Sequence, residues 1–428
     1  MGFMILSRWG GAKIESGKNI INFENAVKMT LYNRNVPINH YFRLRGYNGI
    51  PRILVQTEDM NQIDSKKEYL MASIKIINAP EWDVLDTVCK IRGRGNSSWK
   101  YTAKKSYKVK FLNKKTPFGF AANKDWVLLG NYWDKTLLRW PFMFELSKAL
   151  DVPYTVNYKQ VELFLNGEFV GTYLFTDHIE RGKTRVNTEK DGYLIELDGY
   201  YKEEPLWFTT DSCNMPFSFK YPDPSDDEIK IGDENYNYIV KYMNEFEKAL
   251  LNIEQSDKIN EYIDMASFAK WYIHEELLGN IDTNQFYYMK NKKSKLEAGP
   301  FWDADWSIGA AASIEGVWVK PYYWPPSDEI IWNKHYYYYL LQSPLFRKAV
   351  KSEWQLLKPK IRSVRSTIEE EMIRIQYAQK ANFERWPILD IYLGPQLTAF
   401  GTWEEEVDYM FQFFDERVIW FDKYVSNM

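Results

Sequence analysis

At 428 residues the chain is too long for one small core, and two or three lobes are expected. Its 55 Lys and Arg against 58 Asp and Glu leave a formal charge of −3, so no overall field draws it to nucleic acid or to an anionic membrane. Only Cys89 and Cys213 are present, which excludes a disulfide framework and an all-cysteine zinc site, and no run approaches the roughly 18 apolar residues of a membrane span. The opening "MGFMILSRWGGAKIESG" has a short apolar start but neither a long apolar region nor a clear cleavage site, which leaves the compartment open.

The first half reads mainly as strands. "PRILVQTE" (51–58), "YLMASIKII" (69–77), "SYKVKF" (106–111), "QVELFLNGEFVGTYLFTDHI" (160–179) and "GYLIEL" (192–197) are rich in β-branched and aromatic residues, several in alternation. The Asn-Gly of "FLNGEF" marks a hairpin. One helix interrupts them, "DKTLLRWPFMFELSKAL" (134–150), with Asp134 as its cap and Pro141 as a kink. After the Pro- and Asp-rich connector "KYPDPSDDEIKIGDEN" (220–235), helical spacing takes over in "YNYIVKYMNEFEKALLNI" and "DMASFAKWYIHEELLGN". A short strand pair follows, "QFYYMKN" and "KLEAGPFW", and long helices run from about 340 to the end, "PLFRKAVKSEWQLLKPKIRSVRSTIEEEMIRI" and "EEEVDYMFQFFDERVIWFDKYV" among them. A β-rich half thus precedes an α-rich half.

Three constellations carry chemistry. In "GPFWDADWSIG" (299–309) Asp303 and Asp305 lie among aromatics that favour burial. Acids in such surroundings are costly unless a hydrogen-bonding or positive partner meets them. An Asx-type turn is the plain reading; a hard divalent cation such as magnesium, which takes carboxylate oxygens from one or two residues, is the functional one. If 285–291 pairs with 296–302, Asp282 and Asn284 of "NIDTNQFYYMKN" lie at the same end of the hairpin as Asp303 and Asp305. Phosphoryl transfer uses such a set, with one Asp taking the acceptor hydroxyl's proton and an Asn and Asp holding magnesium against phosphates. Upstream, "RGRGNSSWKYTAKKSYKVKF" (92–111) sets Gly93 and Gly95, which let backbone approach a ligand, before the donors Asn96, Ser97 and Ser98 and a lysine strand. On that strand Tyr107, Val109 and Phe111 share one face and Lys108 and Lys110 the other. The helix that follows carries Arg139, and Glu145 as a candidate partner for a strand lysine; the plain alternatives are a solvated basic edge and a solvated helix Glu.

These stretches, with "DWVLLGNYWDKTLLR", "VELFLNGEFVGTYLFTDHIE" and "GYLIELD", resemble the CotH family, the spore coat protein H kinases, over most of the chain. The resemblance implies an α+β, atypical protein-kinase-like fold: a β-rich N-terminal lobe at 46–220, a mainly helical C-terminal lobe at 221–428 and the active site between them, with 1–45 as an extension. It also implies an ATP- and magnesium-dependent kinase acting on protein substrates of the spore-coat or surface type. Position by position, Asp282 matches the catalytic Asp, and Asn284, Asp303 and Asp305 match the metal-holding positions. Arg92, Arg94, Asn96 and Ser97 fall in the turn before the basic strand, Lys105 and Lys108 match that strand, and Arg139 matches the arginine of the following helix. Asp282 and Asn284 are two apart, whereas a conventional kinase loop separates its Asp and Asn by about five. Two rival classes stand beside this reading. One is a kinase-like scaffold without catalysis. The other is a carbohydrate-active enzyme using paired carboxylates and aromatic platforms, which leaves the basic strand without a task.

Overall fold

The computed structural model describes residues 48–79, 85–252, 257–280, 285–311, 332–394, 396 and 398–428, and the backbone of three strands nearer the N-terminus. The chain divides into two compact units, 1–48 and 49–428. In the first, β1 (Leu6–Arg8), β2 (Val27–Asn33) and β3 (Val36–Phe42) form an antiparallel sheet in chain order.

The second unit begins with a closed seven-stranded barrel. Its strands are β4 (Arg52–Thr57), β5 (Leu70–Ile77), β6 (Leu85–Arg94), β7 (Ser106–Lys115), β8 (Asn123–Leu129), β9 (Tyr158–Leu165) and β10 (Glu168–Asp177). Between β6 and β7 lies a one-turn helix, α1 (Ser97–Tyr101). Alternation places Ile53, Val55, Ile74, Ile91, Val109, Trp126 and Phe175 inside, where the Trp126 and Phe175 rings stack at 5.2 Å. The seam is the parallel pair β4–β9, where Arg52 faces Glu162 and donates to it at 2.7 Å. Asn166 and Gly167 turn the β9–β10 hairpin, both at positive φ, as the Asn-Gly signal requires.

Helix α2 (Arg139–Ala149) begins five residues later than the sequence suggests. Residues 134–138 form a turn in which the Asp134 carboxylate accepts from the backbone N–H of Thr136 and of Arg139. Pro141 is therefore the third helical residue, where an N–H has no partner within the helix, and no kink is needed.

A second sheet has the order β12-β13-β11-β14-β15, all antiparallel. It is built from β11 (Tyr193–Asp198), β12 (Trp207–Thr209), β13 (Pro216–Tyr221), β14 (Gln285–Lys290) and β15 (Leu296–Ala298). The helices α3 (Glu234–Leu251), α4 (Ile259–Tyr262) and α5 (Met265–Leu278) lie between β13 and β14 in sequence. They are followed by α6 (Trp332–Leu340), α7 (Pro344–Leu357), α8 (Ile361–Ile375), α9 (Ala378–Arg385) and α10 (Trp403–Asn427). The stretch 344–375, which reads as one helix, is broken by a turn at Lys358–Lys360 that contains Pro359. Helix α5 is buried on every side from Trp271 to Leu278, and its ionisable residues there, His274, Glu275 and Glu276, are paired. Its Glu276 meets Arg417 of α10 in a fully buried ion pair at 2.6 Å. The result is α+β, β-rich first and helical later. Among the described residues no helix is long and apolar enough to cross a membrane.

Candidate functional site

A cavity of about 750 Å³ lies between the outer face of the barrel and the second sheet, within the size range of small-molecule and cofactor sites. Its first wall follows from the period of β7. Tyr107, Val109 and Phe111 are buried in the barrel, so Lys108 and Lys110 must face outward, and both line the cavity. Arg92 stands directly opposite Lys108 across the β6–β7 pair, a like-charge pairing that is unfavourable without an anion nearby. Asp125 of β8 answers part of this, with Oδ1 3.2 Å from the Lys108 ammonium and Oδ2 3.7 Å from that of Lys110. The Arg92 Nε is buried and finds no hydrogen-bond partner among the described residues. His178 lines the same wall; burial and the cations Lys108, Arg94, Lys220 and Arg92 hold its pKa well below the usual value, so it is neutral.

The acidic turn forms the second wall. Helix α5 ends where Gly279 takes φ +56°, a left-handed cap, and the Ile308 N–H donates to the exposed end of α5 at Leu278 O, 2.6 Å away. The Asn280 amide donates to Asp303 O at 2.8 Å, and the Ser307 hydroxyl to Ala304 O at 2.8 Å. Asp303 is held at φ +69°, a conformation that an Asp tolerates but does not favour. From α2, the Trp140 indole donates to Asp305 Oδ1 at 2.7 Å, and the Arg139 Nε donates to Ser307 O at 2.9 Å. The Arg94 guanidinium lies over the Trp302 ring, 5.4 Å from its centroid. Burial lowers its pKa, while Tyr287, Asp303 and Glu196 act to keep it charged.

The third wall is the second sheet. On β11, Glu196 and Asp198 share a face. Glu196 pairs with Lys220 of β13 at 2.8 Å, and Glu204 approaches the same ammonium at 3.3 Å. Burial opposes the charge on Lys220, yet these two acids hold its pKa above the ordinary value. Burial, with Glu196 adding to it, raises Asp198 to about 6.

Arg92, Arg94, Asn96, Ser97, Lys108, Asp303 and Asp305 thus line one cavity. Asp282 and Asn284 lie outside the described residues, as does most of the aromatic 319–339 segment. Two expected binding residues point elsewhere. Lys105 gives its ammonium to Trp99 O, and its neighbour Lys104 borders the cavity but spends its ammonium on Thr172 O and Asn382 Oδ1. Arg139 is buried, spending one nitrogen on Asp134 at 2.9 Å and another on Ser307 O, so it braces the acidic turn from behind. Glu145 pairs with Lys148 at 2.7 Å and accepts from the Tyr158 hydroxyl, and so orients no strand lysine. The glycines serve their own turn: a Cβ on Gly93 would lie 2.3 Å from the Trp99 ring, and Gly95 needs φ +96°. Glu196, Asp198, Lys220, His178 and Trp140 also line the cavity and were not expected from the sequence. For Glu196 and Asp198 a signal existed, two acids at strand period inside an apolar run.

The profile of a family described as CotH kinase protein matches residues 91–421, a span that takes in all three walls. The chain belongs to the CotH kinase family. A comparison with curated proteins gives no match. The family assignment makes this a kinase-like protein, and its matched span starts inside β6, just before the two arginines that face the cavity. Among the described residues no three His, Cys, Asp or Glu side chains cluster as a metal site.

Proposed function

We propose that this CotH-family protein is an ATP- and magnesium-dependent kinase that transfers the γ-phosphoryl group to a protein, of the spore-coat or surface type. Residues 46–220 serve as the nucleotide lobe and 221–428 as the catalytic lobe. The observation that carries the reading is the facing of unlike walls: Arg92 and Lys108 paired like to like, with an Arg92 Nε that has no hydrogen-bond partner among the described residues, and Asp303 and Asp305 held on a braced turn in the same cavity. The cationic wall suits phosphate oxygens, and arginine suits them in a planar, two-pronged way. Two carboxylates are enough for magnesium, which keeps waters and takes phosphate oxygens for the rest.

Arg92, Arg94, Lys108, Asn96 and Ser97 bind the phosphates, and Asp303, Asp305 and Asn284 hold the metal. Bound magnesium would neutralise charge on the transferred group. Asp282 accepts the proton of the attacking hydroxyl. The chain's own share is mostly positioning and electrostatics, so removing one carboxylate disables transfer without disturbing the fold.

The test is calorimetric titration of ATP with magnesium and then with EDTA, on the wild-type protein and on Asp303→Ala, together with transfer of labelled phosphate to protein acceptors. Binding that needs both magnesium and Asp303, and transfer lost in Asp303→Ala at an unchanged metal-free melting temperature, are expected. ATP binding indifferent to magnesium and to Asp303, with no transfer, would leave a non-catalytic scaffold.

A further inference from the structure

The start of α2 grips the acidic turn at two consecutive residues. Arg139 holds the backbone through Ser307 O, and Trp140 holds a side chain through Asp305 Oδ1. Trp140 is nearly fully buried and cannot swing away, because its ring meets Trp302 edge-on at 4.9 Å and packs on Phe144 at 6.0 Å. Trp302 in turn immediately precedes Asp303, so the tryptophan pair couples α2 to both acids. The chemistry of the donor matters. An indole N–H only donates and carries no charge. It fixes the direction of one carboxylate oxygen while leaving the negative charge intact, whereas Arg or Lys at the same place would cancel that charge and compete with a cation.

We infer that Trp140 is a positioning residue that sets the Asp305 carboxylate for a divalent cation. This rests on the reading of Asp305 as a metal-holding residue. Partners of this kind fix the orientation of a ligating group, and their removal typically lowers metal affinity by about 10- to 100-fold. Trp140 reaches the metal position through Asp305, so its loss is expected to act on metal affinity rather than on metal-free nucleotide affinity.

The experiment measures, by calorimetry, the magnesium concentration that half-restores ATP affinity after EDTA treatment, and separately the metal-free ATP affinity. It compares wild type, Trp140→Phe, Asp305→Ala and the double variant. For Trp140→Phe the half-restoring magnesium rises about tenfold or more while metal-free ATP affinity stays level. In the Asp305→Ala background the same substitution adds nothing. An unchanged magnesium requirement in Trp140→Phe overturns the inference, and so does an equal rise in the Asp305→Ala background, which would mean a packing effect. A wild-type protein whose ATP affinity ignores both magnesium and Asp305→Ala removes the metal reading itself, and the inference with it. Should Trp140→Phe fail to fold, replacing Trp140 by its benzothienyl isostere removes the N–H alone and gives the same readout.

Discussion

Glu180, just past β10, lines the basic wall beside Asp125 and 3.9 Å from the Arg185 guanidinium. Burial, then Asp125, raises its pKa to about 7, while Lys108, Lys110 and Asn123 oppose the rise. Lowering the pH from 8 to 6 therefore neutralises Glu180 and makes the wall more positive. Metal-free binding of an anionic nucleotide tightens through that carboxyl as the pH falls. Glu180→Gln fixes the neutral form, and comparing the two proteins cancels the titration of the nucleotide itself. The variant is expected to bind more tightly than wild type at pH 8 and equally at pH 6; a ratio of affinities that stays constant with pH would show that Glu180 does not titrate there. At this scale the cavity positions of Lys108, Asp303 and Asp305 were legible because residue type and strand or turn position declare their direction, whereas Arg92 and Arg94, which the resemblance put in the turn, lie on β6 instead. Lys220 and Trp140 were not legible, since their roles come from neighbours 24 and 165 residues away in the chain.

The entry to α2 shows what an element can hide from sequence. Asp134, Thr136, Arg139 and Pro141 look like the ordinary start of a helix, and Arg139 like a residue free to bind phosphate. The turn at 134–138 instead buries Asp134 and gives it the Arg139 guanidinium. Removing one member of a buried pair strands the other's charge, which costs about 3–5 kcal/mol. Arg139→Met is expected to lose stability of that order in urea denaturation. A loss below about 1 kcal/mol, the range of a surface ion pair, would show that Asp134 is satisfied without the guanidinium. The same lesson applies to the Gly-x-Gly turn, where spacing told of close approach but not that the approaching group is the turn's own Trp99. Proline behaved in two ways for one reason: Pro141 falls where no N–H is required, while Pro359 falls where a continuous helix would need one.

Across the whole molecule, the β-rich first half, the helical second half and the small hairpin β14–β15 were legible from periodicity. Closure of the barrel was not, because its seam is a parallel pairing of β4 and β9, more than 100 residues apart. Nor was the second sheet, in which β11 from the first half takes β14 from the second as its neighbour. Long-range joins of this kind also explain Lys104. It lies at the start of the lysine strand, yet its ammonium is buried and donates to Thr172 O of β10 and, at 2.7 Å, to Asn382 Oδ1 of α9. Burial lowers its pKa from 10.5 to about 7, against the pull of Asp134 and Asp305. Below about pH 7 the lysine is charged in both folded and unfolded chains, and the full cost of burying that charge is present. Between about 7 and 10.5 the unfolded chain holds a proton that the folded protein lacks, so stability rises with pH through this window. Lys104→Met has no such proton. Urea denaturation of both proteins at pH 7, 8 and 9 should therefore show the wild type gaining on the variant at each step, with titrations common to both cancelling. Two parallel curves would mean that Lys104 stays an ammonium throughout, and the join between barrel and α9 would then be a charged pin insensitive to pH.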